Sequence, residues 1–174
     1  LQMSRDGVVR NSKRIIRVVP TLSTDAYAEG DVLFTATEIP RAVLEKGGCS
    51  KLVGAYMFDK SDQSSDVLFT FTEGNTALGT INATANISDA DLLANNICGI
   101  TKIQSDQATS GAYIDNARIL QMLPASITGE NTQDLLLLQA ADDTTSVYVQ
   151  GVLISSTTPT YAADDIQLIL HIEY

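Results

Sequence analysis

The sequence is poor in the residue types on which most catalytic and metal sites depend. Its 174 residues include no tryptophan, one histidine and two cysteines. Because His171 is the only histidine, the sequence excludes a histidine-based metal cluster, and a Ser-His-Asp triad would depend on this one residue. Cys49 and Cys98 are too far apart for a CxxC metal or redox motif. We expect two buried, reduced thiols, and at this point a disulfide between them stays open.

Long apolar stretches are also absent. The longest runs are "LVGAYMF" (52–58) and "LLLL" (135–138), whereas a membrane-spanning helix needs roughly 20 apolar residues. The basic residues near the start of the chain stand among valines and isoleucines, which is not the pattern of a signal peptide. We therefore expect a soluble protein without a membrane partner. Two residues precede Met3, so the true start of translation is open.

Positive charge is concentrated at the start of the chain. Five of the 11 basic residues lie in the first 17 positions, and the remaining 157 residues carry six basic and 20 acidic residues. This distribution predicts an acidic body with a basic N-terminal arm, residues 1–19. An acidic body repels nucleic acid, and the arm has no aromatic side chain to stack on bases, so no nucleic-acid partner is expected. We predict that the arm contacts another protein through Arg5, Arg10, Lys13, Arg14, Ile15, Ile16 and Arg17.

Alternation of apolar and polar residues dominates the rest of the sequence. In "DIQLILHIEY" (165–174), for example, Ile166, Leu168, Leu170 and Ile172 share one face, which is the period of a strand. The pattern predicts strands near 13–19, 31–37, 41–45, 49–58, 66–72, 76–81, 97–104, 112–123 (bent), 133–140, 145–154 and 164–174.

One segment has the signals of a helix instead. "ISDADLLANN" (87–96) places Ser88 as an N-cap with Asp91 three residues later, and Asn95 or Asn96 can take a left-handed exit. Together the elements predict an all-β fold: one jelly-roll-like β-sandwich domain over residues 20–174, with one short helix and an extended N-terminal arm.

Two eight-residue segments are nearly identical. "DVLFTATE" (31–38) and "DVLFTFTE" (66–73) differ at one position, but their flanking sequences diverge. A solenoid or propeller needs a period sustained over at least three units. We therefore interpret the two segments as two strands of one sandwich that meet similar surroundings.

Motifs for catalysis are missing. The sequence contains no phosphate-binding glycine loop, and Cys49 has no obvious base beside it. The acidic residues Asp62 and Asp66, and the pairs at 142–143 and 164–165, stand in turns, where aspartate forms local hydrogen bonds. We therefore predict no enzyme, no cofactor and no metal site.

The order of motifs resembles that of small β-rich virion structural proteins of tailed bacteriophages, particularly marine and cyanobacterial phages. The resemblance covers roughly residues 27–170. It depends on "YAEGDVLFTATEIPRAV", a glycine turn, a long central strand, "DKSDQ", the second "DVLF", "LGT", "ISDAD" and "TTPTY". These motifs are structural, so the resemblance transfers no active site.

The resemblance implies a capsid decoration (cement) protein that binds the major capsid protein lattice. Its expected location is the capsid surface of a virion assembled in the host cytoplasm, as a homo-oligomer with a trimer favoured. The arm would then dock on the capsid or on a sister subunit, with Ile15, Ile16, Val18 and Val19 adding a strand. The alternatives are a tail or head-fibre component and a carbohydrate- or receptor-binding module on the particle surface.

Overall fold

Two antiparallel sheets packed against each other form the molecule. The computed structural model describes residues 12–63, 65–104, 111–124 and 136–174. The strands and the helix are β1 (Lys13–Val18), β2 (Val32–Ile39), β3 (Cys49–Asp59), β4 (Val67–Thr72), α1 (Asp89–Ala94), β5 (Ile97–Ile103), β6 (Gly111–Ile114), β7 (Ala117–Gln121), β8 (Leu123–Pro124), β9 (Leu136–Gln139), β10 (Val147–Leu153) and β11 (Ile166–Glu173).

The strands divide into a six-stranded and a five-stranded sheet. The first has the order β1-β11-β3-β7-β6, with β9 also paired to β3, and the second has the order β2-β10-β4-β5-β8. All pairings between these strands are antiparallel. The predicted all-β sandwich with one short helix is therefore confirmed for the described part of the chain.

The core lies between the two sheets and follows the predicted alternation. In β11, Ile166, Leu168, Leu170 and Ile172 are fully buried, and the residues between them are half-buried. Each such side chain stabilises the fold by about 1.5–3 kcal/mol relative to an exposed one. The five-stranded sheet contributes aromatic side chains to the same core: Phe34, Phe69 and Phe71.

The two nearly identical segments form strands on either side of one strand. Both β2 and β4 pair with β10, and Gly151 of β10 is the partner of Phe34 on one side and of Phe69 on the other. The two rings lie with their centroids 6.2 Å apart. A Cβ at Gly151 would come within 2.6 Å of the Phe34 ring, so glycine makes room for this contact. The two segments are alike because they flank the same strand.

Two predicted strands are wrong. Residues 41–45 form turns, in which Arg41 has a φ of 56° and the Gly48 amide donates to the Glu45 carbonyl. Residues 76–81 contain a bend at 78–79 and a single bridge from Ile81 to Val32, and the Leu78 amide donates to the Gln150 side chain instead of to a neighbouring strand. In both segments apolar residues are buried without continuous strand pairing, because side chains and turns provide the hydrogen-bond partners of the backbone groups.

The predicted bent strand over 112–123 is a hairpin followed by a short strand. β6 and β7 pair with each other, and Asp115 in the turn between them has a φ of 58°. Aspartate tolerates this left-handed conformation better than most residues. The helix signal is confirmed: the Ser88 hydroxyl accepts the Asp91 amide at 3.1 Å, and Asn96 has a φ of 49°.

The segment before residue 19 belongs in part to the sandwich. β1 pairs with β11 over its whole length, from Lys13 opposite Glu173 to Val18 opposite Leu168. Ile16 and Val18 are buried in the core. The strand that was expected to add to a partner therefore adds to the sheet of its own chain, where it is an edge strand. Residues 1–11 lie outside the described residues.

Candidate interaction surface

The solvent side of the six-stranded sheet combines apolar and basic side chains. Strand register fixes which residues meet there: Ile169 lies between Arg17 and Tyr56, and Phe58 lies between Gln167 and Ile119. None of these residues is fully buried. We call this surface the outer face and define it by Lys13, Ile15, Arg17, Lys51, Tyr56, Phe58, Ile119, Gln121, Gln167, Ile169, His171 and Glu173.

The centre of the outer face is apolar. Two cross-strand pairs of an aromatic and a β-branched residue, Tyr56 with Ile169 and Phe58 with Ile119, stand side by side. At the edge strand, Ile15 is 49% exposed. Such pairs stabilise a sheet by about 0.2–1 kcal/mol each. A contiguous apolar patch on the solvent side of a sheet also marks a surface that a partner can cover.

The charge of the outer face is opposite to that of the whole chain. Lys13, Arg17 and Lys51 stand on it with a single acidic residue, Glu173. Lys13 Nζ lies 3.6 Å from Glu173 Oε2, an exposed pair that contributes little to stability. Since the chain has a net charge of −10, this face is a basic area on an acidic protein and favours an acidic partner surface.

The residues predicted for the arm separate into three groups. Lys13, Ile15 and Arg17 point to the outer face, so the structure brings these three together with the apolar centre. Ile16 is 7% exposed and belongs to the core, whereas Arg14 is exposed at the edge of the sandwich. Arg5 and Arg10 lie outside the described residues.

Sequence reasoning missed the aromatic and aliphatic residues of this face. The available signal was the run "LVGAYMF" (52–58), which is apolar at both parities of a strand. A strand in a two-layer sandwich needs apolar residues on one side only. The additional apolar residues in this run therefore predict that the solvent side of the strand is apolar as well.

A second concave feature lies where the two sheets and the helix meet. The groove is an open pocket with a volume of about 880 Å³, between α1, β5 and β9. Its apolar lining is unusually exposed: Leu93 is 79%, Leu137 is 53% and Ile97 is 47% exposed. The full lining consists of Glu73, Asp89, Leu92, Leu93, Asn96, Ile97, Cys98, Leu137 and Gln139.

A buried ionic cluster supports the loop after β3. The Asp59 carboxylate accepts hydrogen bonds from the Ser61 amide and hydroxyl and from the Gln63 amide. Burial raises the pKa of Asp59, against the lowering effect of these hydrogen bonds. Arg118 Nε lies 3.0 Å from Asp62 Oδ1. The cluster orders the loop, which is the local role expected for aspartates in turns.

No group of three His, Cys, Asp or Glu residues that could hold a metal ion occurs among the described residues. At one of the acidic pairs, Asp165 Oδ2 accepts the Ala162 amide at 2.7 Å, and Asp164 lies 3.1 Å from Lys60 Nζ. Turn formation and surface ion pairing therefore account for the contacts of this pair.

The two cysteines are free, and the expectation that both are buried is wrong. Cys49 begins β3 and is exposed, whereas Cys98 is half-buried beside the groove. The Cys98 thiol donates to the Gln139 carbonyl at 3.5 Å, and burial raises the pKa of Cys98.

The described part of the chain has no helix whose length and apolar character would let it cross a membrane. No protein-family model matches the sequence, and no curated protein matches it.

Proposed function

We propose that this protein is a virion structural protein of a tailed bacteriophage, a decoration (cement) protein that binds the major capsid protein lattice. The observation that carries the proposal is the outer face, with its apolar centre and basic residues on an otherwise acidic sandwich. The resemblance of the motif order to phage structural proteins supports the same assignment. In this proposal the protein acts on the capsid surface and stabilises the head after assembly in the host cytoplasm.

The shape of the outer face suits a protein partner. It is the side of a sheet, and small-molecule sites are usually concave. Exposed basic residues such as Arg17 speed association with an acidic surface, while apolar contacts around Phe58 and Ile169 supply most of the affinity. β1 is an edge strand, so its outer edge also offers backbone groups for strand addition by the partner. We assign the capsid contact to this face.

A homo-oligomer, favoured as a trimer, fits three-fold or quasi-three-fold positions of a capsid. Several weak contacts held by one oligomer bind with much higher combined affinity than one contact alone. In this proposal the protein stabilises the head through such combined binding.

The test is binding to purified capsid shells that lack this protein, measured by cosedimentation. The variant Arg17→Glu with Ile15→Asp changes two exposed residues of the outer face, and we expect at least a 10-fold loss of affinity. The control, Lys46→Glu with Leu44→Asp, makes the same kinds of change at exposed residues in the turn before β3. Circular dichroism checks that both variants fold. Undiminished binding of the outer-face variant would refute the assignment of the capsid contact.

A second candidate function is a carbohydrate- or receptor-binding module on the particle, including a tail or head-fibre position. The observation that favours it is the ring pair on the outer face, where Tyr56 and His171 lie with centroids 5.4 Å apart. Both residues are half-buried on the solvent side of the sheet, where an aromatic ring can stack on a sugar. Glycan-array binding that is lost in Tyr56→Ala would support this function, and an image of the intact virion with the protein located separates capsid from tail.

A further inference from the structure

The groove between α1, β5 and β9 has no occupant among the described residues. No residue of α1 is buried, although a short helix is normally held in place by packing an apolar side. Instead, Leu92 and Leu93 line the groove, opposite Leu137 of β9. This helix therefore presents two leucines to a space that no described residue fills.

One side of the groove is formed by two closely packed strands. A Cβ at Gly99 of β5 would collide with the side chain of Leu136 of β9, at 1.9 Å from Leu136 Cδ2. Glycine thus lets Leu136 lie directly on the backbone of β5 and fixes the two strands against each other. The volume of the groove, about 880 Å³, lies within the usual range of binding pockets, about 300–1,000 Å³.

The chemistry of the lining specifies a basic and apolar occupant. Glu73 and Asp89 are the charged residues of the lining, and both are acidic. The remaining contacts are largely aliphatic. A segment that combines cationic and aliphatic side chains matches both properties, whereas an acidic segment would be repelled.

The chain itself contains such a segment. Residues 1–11, which we call the leading segment, carry two arginines and one aspartate, together with four aliphatic or thioether side chains: Leu1, Met3, Val8 and Val9. The described chain begins at Ser12, whose carbonyl accepts the Tyr174 amide at 3.0 Å. The leading segment therefore departs from the edge of the six-stranded sheet.

The length of the leading segment argues against both of its arginines binding in the groove of the same copy. Across the sheet, Lys13 is opposite Glu173, which is opposite Lys51, which is opposite Leu137 of the groove. These three strand spacings amount to about 14 Å. A chain that crosses this distance within one molecule needs about four residues. Val8, Val9 and Arg10 would then lie along the crossing. Only one arginine, Arg5, would reach the two acidic residues of the groove.

We propose that the leading segment of one copy binds in the groove of a second copy, with Arg5 and Arg10 facing Glu73 and Asp89. This exchange would hold the homo-oligomer together. It rests on the homo-oligomer part of the proposed function and is independent of any capsid.

The test uses the full chain alone in solution, with sedimentation velocity over a range of concentrations. Reversing the groove charges (Glu73→Lys with Asp89→Lys) or the segment charges (Arg5→Glu with Arg10→Glu) should each weaken self-association at least 10-fold. Combining all four substitutions in one chain should restore it to within about three-fold of the original protein. The matched control, Glu45→Lys with Asp143→Lys, changes exposed residues outside the groove and should have no effect.

A separate variant distinguishes a loss of self-association from a loss of folding. Glu73 Oε2 accepts a hydrogen bond from Asn96, so its replacement could disturb the end of the helix. Leu93→Ser removes an apolar contact from a residue that is 79% exposed, and it should weaken association without affecting the fold.

Three outcomes would overturn the proposal: a monomer at all concentrations, an oligomer that neither reversal weakens, or a four-fold variant that stays dissociated. Because no capsid is used, a failure of capsid binding in the earlier experiment leaves these results unchanged.

Discussion

The substitution Gly151→Ala tests how the five-stranded sheet is packed. Gly151 stands in β10 opposite both Phe34 and Phe69. A Cβ there would lie 2.6 Å from Phe34 Cε1 and 3.0 Å from Phe34 Cζ. The Phe34 ring is fully buried, so it has to shift against the rest of the core to accept a single methyl group.

Overpacking of this kind costs about 1–3 kcal/mol in a well-packed core. For a domain of this size, each kcal/mol lowers Tm by about 2–4 °C, so we expect a decrease of roughly 2–12 °C. Urea unfolding followed by circular dichroism measures the free energy of unfolding directly, with an unchanged m-value as the sign that the variant still unfolds from the same native state.

A double-mutant cycle identifies the cause. If the methyl group collides with the Phe34 ring, then Phe34→Leu makes room for it, and the double variant is more stable than the sum of the single effects by at least about 0.5 kcal/mol. Gly54→Ala is the matched control, because a Cβ at Gly54 would be at an ordinary 3.6 Å from His171. Additive effects, or equal effects at the two glycines, would refute the argument.

Three further predictions concern single groups. Because burial raises the pKa of Asp59, its contribution to stability is present at low pH and is lost as the pH rises through the folded-state pKa. The difference in free energy of unfolding between the original protein and Asp59→Asn should therefore fall from pH 3 to 7, and a difference that rises with pH would contradict this. Ser88→Ala removes the N-cap of α1 and should cost about 1 kcal/mol, seen as faster hydrogen exchange of helix amides, whereas Ser88→Asp should retain protection. Cys49 should react with maleimide before Cys98 in the native protein, measured by peptide mass spectrometry; equal rates before unfolding would argue against the described burial.

The alternation of apolar and polar residues was sufficient to predict most of the strands, because every second side chain of a strand points into the core of this sandwich. It failed at 41–45 and 76–81, where apolar residues are buried by turns. Ala42 and Val43 are fully buried there, but the backbone bonds to Thr145 and to Ser50 instead of to a strand. A pattern of hydrophobicity reports burial, and it does not report which group satisfies each carbonyl and amide.

The candidate surface was predictable only in part. The concentration of basic residues identified Lys13 and Arg17, but neighbouring residues in a strand point to opposite sides, so Ile16 belongs to the core while Ile15 is exposed. The apolar centre of the outer face joins residues from four strands that are distant in sequence. Only the register of β1, β11, β3 and β7 brings them together.

The position of the two nearly identical strands beside β10 has a consequence for folding. During collapse, either segment could pair with either edge of β10, since seven of their eight residues are the same. The one difference is Ala36 against Phe71, and the phenylalanine is completely enclosed whereas the alanine is half-buried. In an exchanged topology Ala36 would take the enclosed position of Phe71 and leave a cavity there, so this single benzyl group disfavours a strand-swapped fold.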